Sequence, residues 1–220
     1  MKNFKSLPTD KENIILKDKN LKKDRWKSYF RLNTQRITIM AMLLAFNLFL
    51  SWLSVILFSL IPIYNFLRIE ISFFSFLICW KLINGFYAML LVFPATWMRF
   101  IGIDPLAEPI GVLAMNLSDS FSLGMFILFA WIFRTKVVLK VKYGVYIKLL
   151  IVSLIVISLT SLWNTFLNFS FLLKLYGAEG LKTLPFALIL IGFNYLKFTL
   201  NYGIFISIYK TIDKIAPRDF

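Results

Sequence analysis

The chain has 220 residues, of which 59% are hydrophobic, and its mean hydropathy is +0.75. A soluble domain of this length does not need so much apolar surface, so we expect the excess to face lipid. The net charge is +14, the chain has no His, and Cys79 is its one cysteine. A Ser-His-Asp triad, haem or zinc ligation by His, and an intrachain disulfide are therefore excluded, and we expect neither a metal site nor an enzyme.

The N-terminal residues 1–33 are polar and basic, and we predict that they form a cytoplasmic extension of a membrane domain. Eleven Lys and Arg and four acids occur in the first 36 residues. Such a stretch is either an arm for nucleic acid or the basic flank that the positive-inside rule places beside a first transmembrane helix. Because a long apolar run follows directly, the second interpretation is favoured and no nucleic-acid partner is expected. The short apolar core of a secretory signal is missing.

The following residues, 34–214, predict an all-α membrane domain of six transmembrane helices, and a cytoplasmic tail at 215–220 follows it. About 20 apolar residues are enough to cross the hydrocarbon of a bilayer as a helix. Between residues 73 and 103 we predict two helices, because the polar segment "KLING" (81–85) is typical of a tight turn. The first of these two is short for a full crossing. The other four predicted helices lie near residues 37–60, 110–133, 146–173 and 185–212.

The distribution of basic residues predicts the orientation of this bundle. With six helices both termini lie on the same side of the membrane. If that side is the cytoplasm, the cytoplasmic segments hold 20 of the 25 Lys and Arg, and the external segments hold four. The positive-inside rule therefore predicts cytoplasmic N- and C-termini in a cell membrane. No internal repeat suggests the inverted halves of a secondary transporter.

The segment "GFNYLKFTLNYG" (192–203) places an ammonium in the middle of the sixth predicted helix. Ionisable groups at membrane depth cost several kcal/mol and are usually retained for a site or a partner. Asn194, Lys197 and Asn201 are three and four residues apart, so they share one helical face. This face either binds a polar solute or forms hydrogen bonds that hold helices together.

Two other predicted helices carry polar side chains that could meet this face. Asn164 and Asn168 are one turn apart in the fifth helix, and Asn116 and Asp119 are three residues apart in the fourth. Asp119 either neutralises Lys197 or lies near a water-filled mouth, and these alternatives remain open from the residues alone.

Several short segments, taken in order, resemble the substrate-binding subunit (S component) of energy-coupling factor vitamin transporters. They are "AMLLA", with Ala41 and Ala45 one turn apart, "IDPLAEPIG", "LNFSFLLKLYG" and "FNYLKFTLN". The resemblance covers about residues 36–213 and implies six helices with both termini in the cytoplasm. It also implies that the Ala41 and Ala45 face packs against a transmembrane coupling subunit, and that two partner ATPases supply the energy. No GxxxxGK[ST] motif occurs in this chain, in agreement with ATP hydrolysis by partners.

Within that family the riboflavin-binding subunits are most similar. The resemblance implies that Asn168, Asn194 and Lys197 bind the polar edge of the isoalloxazine ring, and that riboflavin is the transported ligand rather than a cofactor. Carboxamides and an ammonium suit the carbonyl and ring-nitrogen acceptors of a flavin. The predicted solute-binding residues are six: Asn168, Asn194, Lys197, Glu70, Asn164 and Asp119. The matching features are Glu70 in "LRIEIS", the Asp104-Pro105 turn, Asn168 eight residues before Tyr176, and the N-x-x-K of Asn194 and Lys197.

Other functions remain as alternatives. Folate, another B vitamin or a related solute could replace riboflavin in the same kind of site. A membrane-embedded enzyme acting on lipid would use Asp119 and Glu70 as its acids. In a purely structural membrane protein, the polar residues would only associate the helices.

Overall fold

The computed structural model describes residues 26–58, 67, 69–100, 108–136 and 143–215. Several predicted features lie outside these residues: most of the basic N-terminal extension, the Asp104-Pro105 turn, much of the basic loop after residue 136, and the C-terminal tail from residue 216. The chain divides into two units, residues 1–37 and 38–220.

The described part of the first unit contains a short helix at residues 26–30. The guanidinium of Arg36 donates hydrogen bonds of 2.7–3.0 Å to the main-chain carbonyls of Ser28, Tyr29 and Arg31. These carbonyls at a helix C-terminus have no intrahelical partner, so a cationic side chain is a suitable donor for them.

The fold of the second unit is all-α, as predicted, and no β-strand occurs among the described residues. The fifth of the predicted helices continues beyond Leu167 through one π-helical turn, Asn168–Leu172, and ends at Leu175. The helices of nine or more residues in the described ranges are α1 (Thr34–Phe58), α2 (Phe74–Leu82), α3 (Gly85–Trp97), α4 (Pro109–Lys136), α5 (Gly144–Leu167) and α6 (Leu184–Ile215).

Four of these segments have the length and apolar composition needed to cross a membrane. They are Thr34–Leu57, Pro109–Thr135, Gly144–Leu175 and Leu184–Ile215, with 24 to 32 residues each. At 1.5 Å per residue each is longer than the ~30 Å of bilayer hydrocarbon. By contrast, α2 and α3 have nine and 13 residues, so neither reaches that thickness alone. The four long helices thus agree with a membrane-embedded protein, and six crossings remain a prediction.

The two short helices form an antiparallel hairpin, and the turn predicted at residues 81–85 is confirmed. Asn84 begins α3 as its N-cap, since its side-chain oxygen accepts a 3.0 Å hydrogen bond from the main-chain N–H of Tyr87. At the open end of the hairpin, Arg99 donates a 2.8 Å hydrogen bond to the Ser72 hydroxyl. The start of α2 and the end of α3 therefore lie side by side.

The core of the bundle is formed where α6 packs against α5 and α2, and where α4 packs against α5 and α3. Aromatic rings fill it: Phe73 meets Phe198 edge-on at 5.1 Å between centroids, and Trp80 meets Phe126 at 5.0 Å. Large apolar side chains also cover the outside of the long helices, for example Leu188, which is 61% exposed. An apolar exterior of this kind suits contact with lipid.

Candidate functional site

Lys197 of α6 and Asp119 of α4 form a buried ion pair between two long apolar helices. The ammonium nitrogen lies 3.4 Å from Oδ1 of Asp119, and the two residues are 6% and 1% exposed. Of the two alternatives left open by the sequence, the structure shows that Asp119 neutralises Lys197 and is not solvated. Since an unpaired charge in such surroundings is costly, each residue makes the burial of the other tolerable.

A chain of hydrogen bonds joins α4, α5 and α6 beside this ion pair. Nδ2 of Asn164 donates to Ser118 Oγ at 2.7 Å and to Asn194 Oδ1 at 2.6 Å. Ser118 adjoins Asp119 in the chain, and Asn194 lies one turn before Lys197. These five residues, Ser118, Asp119, Asn164, Asn194 and Lys197, are named the central polar cluster. The structure therefore brings together four of the six predicted solute-binding residues.

Two oxygen atoms of the central polar cluster are buried without a donor. Among the described residues, Oδ2 of Asp119 and Oδ1 of Asn164 have no hydrogen-bond partner. A buried acceptor left in this way costs about 1–3 kcal/mol, and more when it is charged. The cluster therefore has unused hydrogen-bonding capacity, which a simple contact between helices does not require.

In the described residues, the side chain of Asn168 forms no hydrogen bond with a side chain of the central polar cluster. Its side-chain amide donates a 2.8 Å hydrogen bond to the main-chain carbonyl of Asn164, one turn earlier in the same helix. Within the described residues it forms no hydrogen bond with Asn194 or Lys197. It begins the π-helical turn at the end of α5, a distortion that is frequent at functional sites.

Glu70, the remaining predicted site residue, forms a second buried ion pair with Arg99. Its Oε1 also accepts a 2.7 Å hydrogen bond from the Ser72 hydroxyl, and the Arg99 guanidinium donates to Asn47 Oδ1 at 3.1 Å. Burial by itself raises the pKa of Glu70, but the charges of Arg99 and Lys197 and the hydrogen bonds from Ser72 and Arg99 outweigh it. The pKa of this carboxyl consequently lies below its ordinary value of 4.5.

Asn201 connects the two ion pairs and has a structural role. Its Nδ2 donates to the main-chain carbonyls of Glu70 at 2.7 Å and Lys197 at 2.8 Å. Its Oδ1 accepts from the main-chain N–H of Phe74 at 3.0 Å. The side chain thereby holds the segment before α2 against α6. The shared face predicted for Asn194, Lys197 and Asn201 is confirmed, because all three are buried.

Several buried polar residues were missed from the sequence: Ser118 in the central polar cluster, and Arg99, Lys81 and Asn47 outside it. The sequence counted Arg99 and Lys81 only as charges of the external and cytoplasmic segments, yet each is 2% exposed. Lys81 pairs with Asp213 at 2.5 Å and with the Tyr209 hydroxyl at 3.0 Å. Asn47 carried a usable signal, since it is a lone carboxamide within the apolar run of α1. Nothing local distinguishes Arg99 or Lys81, because their partners are distant in the chain.

The small-residue pair of α1 lies on the outer surface of the helix. Ala41 and Ala45 are exposed, whereas Leu43, Asn47 and Leu50 on the same helix are buried. The face that carries the two alanines is therefore distinct from the face that packs into the fold.

Comparison of the sequence with protein-family models and with curated proteins found no match. The residues themselves therefore carry the functional interpretation. Within the described ranges, no group of three or more Cys, Asp or Glu side chains is placed to hold a metal ion. The arrangement that stands out is the central polar cluster with its two open acceptors.

Proposed function

We propose that this protein is the membrane-embedded substrate-binding subunit of an energy-coupling factor importer, with riboflavin as its solute. The single observation that carries the proposal is the central polar cluster. It gathers an ion pair and two carboxamides from three long apolar helices. Polar groups in such a position cost several kcal/mol in a bilayer, and the association of apolar helices does not require them.

The depth of the central polar cluster also suits a solute-binding site. Asp119 lies about 15 Å along α4 from Pro109, and Lys197 about 20 Å along α6 from Leu184, at 1.5 Å per residue. Both residues lie in the interior of helices long enough to cross a hydrocarbon layer about 30 Å thick, and we propose that they lie near its middle. Membrane transporters commonly bind their solutes at that depth.

The chemistry of the cluster is compatible with a flavin. The isoalloxazine ring offers carbonyl and ring-nitrogen acceptors beside one N–H donor, and Lys197 and Asn194 can donate to the acceptors. Within the described residues the Lys197 ammonium donates to Asp119 Oδ1, and the Asn194 amide donates one N–H to the Leu190 carbonyl. Their other N–H groups are the donors that we assign to the solute. By the family resemblance, Asn168 and Glu70 complete the site from its edge.

The proposed transport requires partners, because the chain itself performs no chemistry in this scheme. The exposed face of Ala41 and Ala45 packs against the transmembrane coupling subunit, since small side chains let two helices approach closely. Two ATPase subunits then drive delivery of the solute into the cell. Both termini lie in the cytoplasm, in accord with the excess of Lys and Arg in the segments assigned to that side.

A structural protein is the second candidate, and the contacts of Asn201 favour it. Two of its side-chain hydrogen bonds, with the Glu70 carbonyl and the Phe74 N–H, join the start of α2 and the segment before it to α6. The third, to the Lys197 carbonyl, stays within α6. If the central polar cluster acted in the same way, no ligand would bind. The lipid-modifying enzyme has less support, because Glu70 and Asp119 each face a cation rather than an open reaction site.

The test uses the full chain purified in detergent. We expect flavin absorbance in the purified protein and a change in tryptophan fluorescence when riboflavin is added. Trp163 is a suitable reporter, since it precedes Asn164 and stacks on Phe121 at 4.8 Å between ring centroids.

Variants of two lysines on α6 make the test specific. Lys197→Met should abolish the response to riboflavin, whereas Lys210→Met, at an exposed position on the same helix, should leave it unchanged. Absence of flavin together with a fluorescence signal that ignores riboflavin would refute the vitamin assignment. An equal response in both variants would remove Lys197 from the site.

A further inference from the structure

We propose that Asp119 Oδ2 and Asn164 Oδ1 are the acceptors that recognise N–H or O–H groups on an uncharged part of the solute. This inference rests on the proposed function and adds to it the kind of group that the site selects. Donors from Lys197 and Asn194 would bind any solute with carbonyl oxygens. The two open acceptors add a requirement that only a donor-bearing solute meets.

The hydrogen bonds of Asn164 determine which of its atoms is available. Both N–H groups of its side chain are donated within the protein, one to Ser118 at 2.7 Å and one to Asn194 at 2.6 Å. Its Oδ1 is buried and has no donor among the described residues. The residue is therefore oriented by its neighbours as an acceptor, which is the arrangement that gives a binding site its directionality.

Asp119 presents the second acceptor in the same cluster. Only its Oδ1 faces Lys197, at 3.4 Å, which is longer than the ~2.7–2.9 Å of a strong charge-assisted hydrogen bond. Oδ2 is buried without a donor in the described part of the chain. Ser118, which precedes Asp119 in α4, accepts a hydrogen bond from Asn164 of α5, so both open oxygens belong to residues of the central polar cluster.

The charge of Lys197 restricts the donor to a neutral one. A cationic donor approaching Asp119 would meet the Lys197 ammonium, and the repulsion of like charges in a buried site is unfavourable. An amide, imide or hydroxyl group provides the donor without that repulsion. Such a group can also offer an acceptor to Lys197 beside its own donor.

The experiment compares three flavins on the full chain in detergent, by fluorescence titration. Riboflavin carries a ring N–H and a hydroxylated side chain. N3-methylriboflavin lacks the ring N–H, and lumiflavin lacks the hydroxyls. We expect at least one of the two blocked analogues to bind about tenfold more weakly than riboflavin, as for the loss of a hydrogen bond to a buried charged group.

The variant Asp119→Asn distinguishes two reasons for weaker binding of a blocked flavin: the loss of its hydrogen-bond donor and poorer steric fit. In this variant the discrimination between riboflavin and the blocked analogue should shrink to about threefold or less, because the charged acceptor is gone. A steric clash caused by the added methyl group would persist. Asp213→Asn, the same change in the ion pair with Lys81, is the matched control and should keep the full discrimination. Asn164→Ser removes the second acceptor, Asn164 Oδ1. It replaces Asp119→Asn in this comparison if that variant does not fold.

The outcomes distinguish this inference from the proposed function. Equal binding of all three flavins would overturn the inference and leave the riboflavin assignment intact. Undiminished discrimination in the folded variants would also overturn it. If no flavin binds, the riboflavin assignment fails, and the same comparison is made with pyridoxine and its O-methylated derivative. Equal binding of that pair, or no binding of either, would then overturn the inference too.

Discussion

Replacement of Lys197 by Met is the most informative perturbation of this protein. The change removes the one cation that contacts Asp119 in the described residues and leaves its buried carboxylate without that partner. Breaking a buried pair in this way costs about 3–5 kcal/mol. Since the 3.4 Å separation is long for a charge-assisted hydrogen bond, we expect the lower end, about 3 kcal/mol of the free energy of unfolding.

The double variant Lys197→Met, Asp119→Leu should recover most of that loss. Both charges are then absent, and two apolar side chains occupy an apolar interior, which is often neutral or stabilising. We expect its stability to lie within about 1 kcal/mol of the unaltered chain. The two substitutions should therefore be strongly non-additive, while the response to riboflavin stays abolished.

The assay is reversible unfolding in mixed detergent micelles, followed by far-UV circular dichroism. Lys81→Met is the matched control, because its partner Asp213 is 44% exposed at the side chain and can be hydrated once the cation is gone. A cost of about 1 kcal/mol or less is expected for that control. The reasoning is refuted if Lys197→Met costs no more than Lys81→Met, or if the double variant shows the sum of its single effects.

Three further predictions use the same unfolding assay. Because the pKa of Glu70 is lowered in the folded protein, its ionised carboxylate contributes to the free energy of unfolding. This contribution is fully present above pH 4.5 and is lost as the pH falls through the lowered pKa. Glu70→Gln should therefore reduce the loss of stability at acid pH. Gly85→Ala should destabilise, since its Cβ would lie 3.1 Å from Ile127, whereas Gly203→Ala, with open space, should stabilise by about 0.5–1 kcal/mol. Asn84→Ala should cost about 1 kcal/mol through the lost cap of α3, and an unchanged midpoint would contradict that role.

Local patterns in the sequence predicted much of the fold. The long apolar runs indicated the helices, and "KLING" indicated the turn of the α2–α3 hairpin, because helix length and turn chemistry depend on neighbouring residues. The same local periodicity placed Asn194, Lys197 and Asn201 on one buried face. Their roles differ nonetheless: Lys197 forms an ion pair, whereas Asn201 binds the main chain before α2.

The amino-acid sequence by itself determined that the protein is helical, strongly apolar and equipped with polar residues in the middle of long apolar segments. Tertiary structure alone decided which of those residues meet. Asp119 and Lys197 are 78 positions apart, and Asn47 and Arg99 are 52 apart. Such pairs depend on how the helices pack, which no local spacing encodes. In the described part of the chain, packing also left Asp119 Oδ2 and Asn164 Oδ1 without donors, and these are the acceptors that we propose for a solute.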